Sequence, residues 1–177
     1  MKNFPPLAQK LNGLEPMVED ARFEDASPGA LRLQAMDADD LRVISALIQD
    51  AVFPAAEMKW QPAQRRFGLL LNRFRWEDGA ANTAKPRAER VQSLLIVDSV
   101  LSVTSSGIVR GDNDMVLSVL AAEFTPGDDG AGTLTLTLAG DGAIALTVEC
   151  LDISLKDVTK PYLAVSRKVP KHDLGEA

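Results

Sequence analysis

The sequence predicts an α+β fold, a mostly antiparallel bent sheet or partial β-barrel covered by one main amphipathic helix. One segment, residues 37–52, repeats apolar residues at the i, i+3, i+4, i+7 spacing of a helix with one buried face. Much of the remaining chain consists of short alternating apolar and polar runs separated by turn residues, which is typical of hairpin-connected strands. Only one good helix separates strands, so a doubly wound α/β fold is disfavoured. A two-sheet sandwich or a pleckstrin-homology-like barrel is the alternative.

The helix is predicted to begin at Asp37. Its carboxylate can accept a hydrogen bond from a first-turn amide, and Asp39 and Asp40 would then lie at the positive end of the helix dipole. Phe53-Pro54 ends the pattern, because the residue before a proline is disfavoured in the α conformation. The face expected to be buried carries Leu41, Ile44, Leu47, Ile48 and Ala51.

The predicted strands are residues 31–35, 57–60, 65–76, 91–104, 117–124, 133–138 and 143–150. Residues 67–71 are nearly all apolar at both parities, which predicts a central strand covered on both faces. In the segment 91–104 the apolar parity changes at Asp98-Ser99. This change indicates either a β-bulge or a tight turn between two short strands.

The last two strands are predicted to form a hairpin with a three-residue loop, residues 140–142, closed by Gly142 at positive φ. This loop pairs Ala139 with Ala143, so that every leucine of the first strand faces an apolar partner. The expected inward pairs are Leu138–Ile144, Leu136–Leu146 and Leu134–Val148. A two-residue turn would pair Gly140 with Ala143 and mix apolar with polar positions, and the buried face decides the register.

The chain is divided into a loosely ordered N-terminal extension (1–30), a single globular domain (31–165) and a C-terminal tail (166–177). The extension contains four prolines and no sustained period. Met17 within it is a second candidate translation start. Residues 77–90 are polar and aperiodic, and we expect an exposed loop there.

Composition bounds the class of protein. A chain of 177 residues has the size of one domain. The net charge of −6 argues against partners such as nucleic acid or an anionic membrane, because both need an excess of Lys and Arg. The single cysteine rules out an intramolecular disulfide. No apolar run is long enough to span a bilayer, and the N-terminus lacks the apolar core of a secretory signal, so a cytoplasmic location is expected.

Motifs that carry chemistry are absent from the sequence. It contains no phosphate-binding P-loop, no dinucleotide fingerprint, no zinc pattern and no nucleophile elbow. His172, the only histidine, lies in the predicted tail, where a rigidly held catalytic group is not expected. Cys150 shares the parity of Leu146 and Val148 and is expected to be a buried, inert thiol. We therefore expect no catalytic residue, no metal and no cofactor.

The best candidate binding surface is formed by arginines and tryptophans of the segment 60–76. Arg73 and Arg75 share one face of a predicted strand, and the guanidinium fork suits carboxylates and phosphates. Their neighbours on this surface are Trp60, Arg65, Arg66 and Trp76. The candidate binding residues are Arg66, Arg73, Arg75 and Trp76. The alternative is that such arginines are solvated edge residues or internal ion-pair partners.

Several segments resemble a bacterial family described only as a domain of unknown function, number two-nine-four-eight. The likeness covers residues 31–174 and is carried by Leu31-Arg-Leu, Asp40-Leu-Arg-Val-Ile-Ser45, Gln49-Asp-Ala51, Arg65-Arg-Phe67, Leu71-Asn-Arg-Phe74, Trp76, Ser106-Gly-Ile108, Val116-Leu-Ser-Val-Leu120, Gly142-Ala-Ile144, Val148-Glu-Cys150 and Lys171-His-Asp-Leu174. The resemblance implies a bacterial cytoplasmic protein. It supplies no catalytic residue.

Two functions follow from these patterns. The favoured one is a non-enzymatic binding or interaction protein, which takes a protein partner or a small anionic ligand near Arg73 and Arg75; a homodimer is also compatible with the sequence. Scarcity of chemistry-bearing residues favours this reading. The alternative is a small hydrolase or transferase that depends on carboxylates, with Asp98 or Asp112 as the base.

Overall fold

The computed structural model describes residues 30–75, 89–109 and 111–163. The chain has an α+β fold with one α-helix and a mostly antiparallel sheet, and in the described ranges that sheet has eleven strands. The helix is α1, Ala38–Ile48. The strands are β1 Arg32–Ala35, β2 Val52–Pro54, β3 Met58–Gln61, β4 Arg66–Phe74, β5 Glu89–Val97, β6 Val100–Ser106, β7 Val116–Pro126, β8 Gly132–Leu138, β9 Gly142–Val148, β10 Ile153–Asp157 and β11 Tyr162–Leu163.

The sheet runs in the order β1-β10-β5-β4-β2-β7-β8-β9-β6, with β3 also paired to β4 and β11 to β5. The strands β5 and β6 follow each other in the chain but lie in different parts of this order, and the same holds for β9 and β10. The chain therefore turns a corner twice. One part of the sheet is centred on β4, β5 and β10, the other on β7, β8 and β9, and the β2–β7 pair joins them.

Helix α1 begins where the sequence predicts, with Asp37 as its N-cap. The Asp37 side chain accepts a hydrogen bond from the amide of Asp40 at 2.8 Å. The helix ends at Ile48, earlier than predicted, because the following backbone joins the sheet: the Asp50 amide donates to the carbonyl of Val119 at 2.9 Å. Leu41, Ile44 and Ile48 are buried in the same core cluster as the strands.

Over residues 67–71 the inner face of β4 is buried and its outer face is only half-buried. Phe67, Leu69 and Leu71 are at most 2% exposed, whereas Gly68 and Leu70 retain part of their exposure. The prediction that residues 67–71 are covered on both faces therefore holds for one face alone. Arg73 continues the buried series at the same parity.

The parity change at Asp98-Ser99 is a corner between two parts of the sheet rather than a hairpin. Ser99 adopts a left-handed conformation with φ 59°, and β5 and β6 pair with different neighbours. Immediately after this corner, the pairing of β6 with β9 has a register shift between Val100 and Ser102. Asp98 and Ser99 thus connect two separate strands, as in the turn alternative but without a hairpin, and the β-bulge lies further on, between Val100 and Ser102.

The β8–β9 hairpin has a three-residue loop, but its position differs from the prediction. The loop is residues 139–141, and Leu138 pairs with Gly142. Gly140 and Asp141, not Gly142, have positive φ. The predicted pairing of Ala139 with Ala143 is wrong by two residues. A shift of two preserves which side chains face inward, so burial of the leucines, which is observed, does not distinguish the two registers.

Candidate functional site

Arg73, the central residue of the predicted binding surface, lies in the core. It is fully buried, and its guanidinium makes a bidentate ion pair with Asp157. Nη2 lies 3.0 Å from Oδ1 and 2.9 Å from Oδ2, while Nε lies 3.1 Å from Oδ1. Arg73 is therefore an internal ion-pair partner, the alternative considered for it, and its placement on a ligand-facing surface is corrected.

The Arg73–Asp157 pair belongs to a polar network that joins neighbouring strands beneath the sheet. The Ser93 hydroxyl donates to Asp157 Oδ1 at 2.6 Å and accepts from Arg73 Nε at 3.0 Å. The amide of Leu31, just before β1, donates to Asp157 Oδ2 at 3.0 Å. Because β4, β5 and β10 each contribute one side chain, the network fixes these strands relative to one another.

Arg75 and Arg66 lie at opposite ends of β4 and do not share a surface. The Arg75 side chain is 5% exposed, and its Nη1 lies 3.3 Å from Oε2 of Glu89. Arg66 is solvent-exposed and its Nε lies 2.7 Å from Oδ1 of Asp98. The hydrogen bond and charge of Asp98 raise the pKa of Arg66. Trp76 lies outside the described residues.

A different arginine, Arg90 on β5, has the geometry of a binding residue. Its guanidinium carbon lies 3.9 Å from the centroid of the Phe74 ring. Its Nη1 donates to the backbone carbonyl of Asn72 at 3.1 Å. The Tyr162 hydroxyl donates to the Asn72 side-chain oxygen. A cation held over an aromatic ring, with one N–H group bonded to a carbonyl, is preorganised for binding.

The register of three strands brings these side chains together. Arg90 is the cross-strand partner of Phe74 on β4 and of Tyr162 on β11. The next row contains Asn72 opposite Gln92. We call these five residues the Arg90 surface. They lie on the outer face of the sheet, opposite the buried network. Phe74 is only 4% exposed, and Asn72, Arg90 and Gln92 are half-buried.

The Arg90 guanidinium is a half-buried cation. Burial lowers its pKa, and electrostatic interaction with Tyr162 and Asp50 opposes that effect. Arginine nevertheless stays protonated at any physiological pH. None of the salt bridges formed between described residues involves Arg90. An anion bound to its remaining N–H groups would offset the desolvation that burial imposes.

Sequence reasoning missed Arg90 because it closes the polar segment 77–90, which predicts a loop. Strand β5 in fact begins at Glu89. A signal was present: Arg90 shares its parity with Gln92, while Val91 shares the buried parity of Leu95 and Val97. Extending the alternation backward by two residues places Arg90 on the outer face.

The other described candidate groups are not among the residues that contact Arg90. Cys150 is exposed, not buried as predicted, because β9 ends at Val148 and Cys150 falls in the corner before β10. Asp98 is engaged by Arg66, and Asp112 lies in the exposed segment before β7. His172 lies outside the described residues. In the described ranges no group of three His, Cys, Asp or Glu side chains is placed to hold a metal ion.

The described part of the chain also contains no helix with the length and apolar character needed to cross a bilayer. Comparison with models of known protein families gives a match over most of the chain. A family model described as "Protein of unknown function (DUF2948)" matches residues 31–172. No curated protein and no solved structure matches the chain.

Proposed function

We propose that this chain, which belongs to the DUF2948 family of proteins of unknown function, is a non-enzymatic binding protein that takes a small anionic ligand at the Arg90 surface. The ligand class is a carboxylate or a phosphate, the anions that the planar guanidinium fork matches. Tyr162 and Gln92 flank Arg90 and supply further polar groups that would select among anions.

The observation that carries the proposal is the state of Arg90. Its guanidinium is stacked at 3.9 Å on Phe74 and bonded through Nη1 to the Asn72 carbonyl, and no described residue accepts a hydrogen bond from its other N–H groups. A guanidinium has five N–H donors in a fixed fork. Among the described residues no acceptor occupies the rest of that fork, and an anion bound there would lie in a half-buried place, where charge–charge attraction exceeds its value at a fully exposed site.

The surrounding contacts favour binding over catalysis. Asp98, one candidate base, is engaged by Arg66 at 2.7 Å at a corner of the sheet. Asp112, the other, lies in an exposed segment. Neither carboxylate is among the residues that contact Arg90, so the arginine and a candidate base do not form a common site.

Finer features also belong to the proposal. The two corners, β5 to β6 and β9 to β10, support a strongly bent sheet that approaches a partial barrel, with α1 covering its apolar face as an amphipathic helix. The acidic composition and single cysteine support a cytoplasmic setting. The family resemblance supports a bacterial one.

Thermal unfolding in the presence of anions tests the binding proposal. Inorganic phosphate and citrate, each titrated against the same ionic strength of chloride, should raise the melting temperature of the wild-type protein, because a ligand that binds only the native state stabilises it by mass action. Arg90→Gln should abolish that gain. The matched control is Arg32→Gln, which removes an exposed arginine from β1 and should leave the gain intact. An equal gain in Arg90→Gln and wild type would contradict the proposal.

A further inference from the structure

Strand β6 forms one end of the sheet order and offers an open edge. It pairs with β9 on one side, and no described strand pairs with its other side. Ser102, Thr104, Ser105 and Ser106 are exposed. An unpaired strand edge presents a row of backbone donors and acceptors to any extended chain that reaches it.

The bond pattern identifies which backbone groups point outward. Residues of an antiparallel ladder alternate between directing both backbone groups at the neighbouring strand and directing both away. The Val100 amide points away from β9, since it donates to the carbonyl of Arg65 at 2.8 Å. The register shift between Val100 and Ser102 then moves the outward positions to Val103 and Ser105.

The composition of β6 does not protect this edge. Natural proteins blunt open edges with charged residues, proline or very short strands. At the opposite end of the sheet β1 has four residues and an exposed arginine, Arg32. β6 has seven residues, Val-Leu-Ser-Val-Thr-Ser-Ser, without a charge or a proline. Its bulge lies at the first residues only, so the outward groups of Val103 and Ser105 remain suitable for pairing.

Charge differs between the two ends of the edge. At the start of β6 the nearby charges are paired with one another, Arg65 with Glu149 and Arg66 with Asp98. At its end, a side chain added at Gly107 would lie 3.3 Å from the carbonyl of Asp141, so the β8–β9 turn is adjacent. Residues 107–115, which leave β6, contain two aspartates and one arginine. Together with Asp141 these residues contain three aspartates and one arginine, a net charge of −2 in the segments that adjoin the end of β6.

We propose that the β6 edge binds an extended segment of a partner protein that runs antiparallel to β6 and carries Lys or Arg at its N-terminal end. Main-chain hydrogen bonds to Val103 and Ser105 supply the attachment, as in other cases of strand addition. The antiparallel direction places the basic end of the partner beside Asp141. This edge is separate from the Arg90 surface and does not depend on it.

A second copy of the chain fits this edge less well. In a two-fold β6–β6 pair, each acidic end would lie against the start of the other β6, where Arg65 and Arg66 are already neutralised by Glu149 and Asp98. Such a pair gains no charge attraction. A basic segment gains it at once, and an overall charge of −6 adds a long-range contribution to the association rate.

Synthetic peptides with a fluorescent label test the proposal by anisotropy against the full-length chain. The probe is acetyl-Lys-Lys-Thr-Val-Thr-Val-Thr-amide, and its charge-reversed control replaces both lysines with glutamates. A third peptide carries the lysines at its C-terminal end. We expect the first to bind at least about tenfold more tightly than either control at low salt, because the other two place a negative charge or no charge beside Asp141.

The backbone contribution is tested from both sides. Ser105→Pro removes one outward N–H without removing a bond to β9, and proline is tolerated at such a position; Ser105→Ala keeps the N–H and is the matched control. A peptide N-methylated at alternate residues tests the same bond with the wild-type protein, so the test does not depend on the variant folding. Each disruption should weaken binding about tenfold, the loss of about one hydrogen bond, and Ser105→Ala should not.

Three results would overturn the proposal: no binding of the lysine peptide at millimolar concentration, equal binding of the charge-reversed peptide, or undiminished binding after N-methylation. A sedimentation experiment that shows a dimer sensitive to Ser105→Pro would assign the edge to a second copy and would also overturn it.

Discussion

Arg73 and Asp157 are separated by 84 residues in the chain and form a bidentate ion pair inside it. The two side chains are 0% and 5% exposed. Ser93 and the amide of Leu31 complete the hydrogen bonding of the carboxylate. Such a pair contributes little net stability over an apolar pair of the same volume, but each member is costly to remove alone because the other is left buried and charged.

Arg73→Met is therefore expected to lower the free energy of unfolding by about 3–5 kcal/mol, the range for a broken buried pair. Urea denaturation followed by circular dichroism measures this change. The double variant Arg73→Met, Asp157→Leu should recover part of the loss, since it leaves no unpaired charge. The control is Arg66→Met, which breaks an exposed pair and should leave the urea midpoint nearly unchanged. Equal effects of Arg73→Met and Arg66→Met would show that the buried pair is not structural.

The helix makes a graded prediction at three neighbouring positions. Ile44 is 1% exposed, Leu47 is partly buried and Arg42 is exposed. Ile44→Asp should abolish soluble expression because an unpaired charge would enter the core. Leu47→Asp should destabilise less, and Arg42→Asp should be tolerated. Thermal melts of the variants that express give the order, and similar melting temperatures for all three would mean that α1 does not pack on the sheet.

The approach of Gly107 to Gly142 predicts a steric effect that backbone strain alone does not explain. A Cβ at Gly107 would lie 2.7 Å from the Cα of Gly142, whereas a Cβ at Gly111 would meet nothing within 4 Å. Both glycines have positive φ, so alanine at either carries a left-handed penalty of about 1–2 kcal/mol. Gly107→Ala should therefore unfold at a clearly lower urea concentration than Gly111→Ala. Equal urea midpoints for the two variants would contradict the close approach of Gly107 to Gly142.

Alternation was the most informative sequence pattern, and its failures have physical causes. Parity correctly predicted that the leucines of β8 face inward, but a two-residue shift of register changes no parity, so the β8–β9 loop was misplaced. The helix cap at Asp37 was predicted because it depends on residues close in sequence. The helix end was not, because Asp50 and Ala51 bond to Val119, far away in the chain.

In the candidate site, too, features set by residues close in sequence could be predicted, and features set by distant strands could not. Arg73 has the parity of Leu69 and Leu71, which already places it inside; the polar residues Ser93 and Asp157 also interrupt buried parities on their own strands. That three polar residues meet requires the order β4-β5-β10, which no local pattern specifies. Arg90 likewise can be identified as a candidate binding residue only once the fold makes Phe74 and Tyr162 its cross-strand neighbours.

The most direct measurement of the central claim is a nitrogen-15 spectrum of the arginine side-chain Nε–Hε groups during a titration with inorganic phosphate. The Arg90 signal is assigned by its loss in Arg90→Lys. We expect this signal to shift and saturate as phosphate is added, while that of the buried Arg73 stays in place. The assignment of an anion site to Arg90 would be contradicted if the Arg90 signal did not shift. It would also be contradicted if the signals of exposed arginines such as Arg32 or Arg42 shifted as much as that of Arg90.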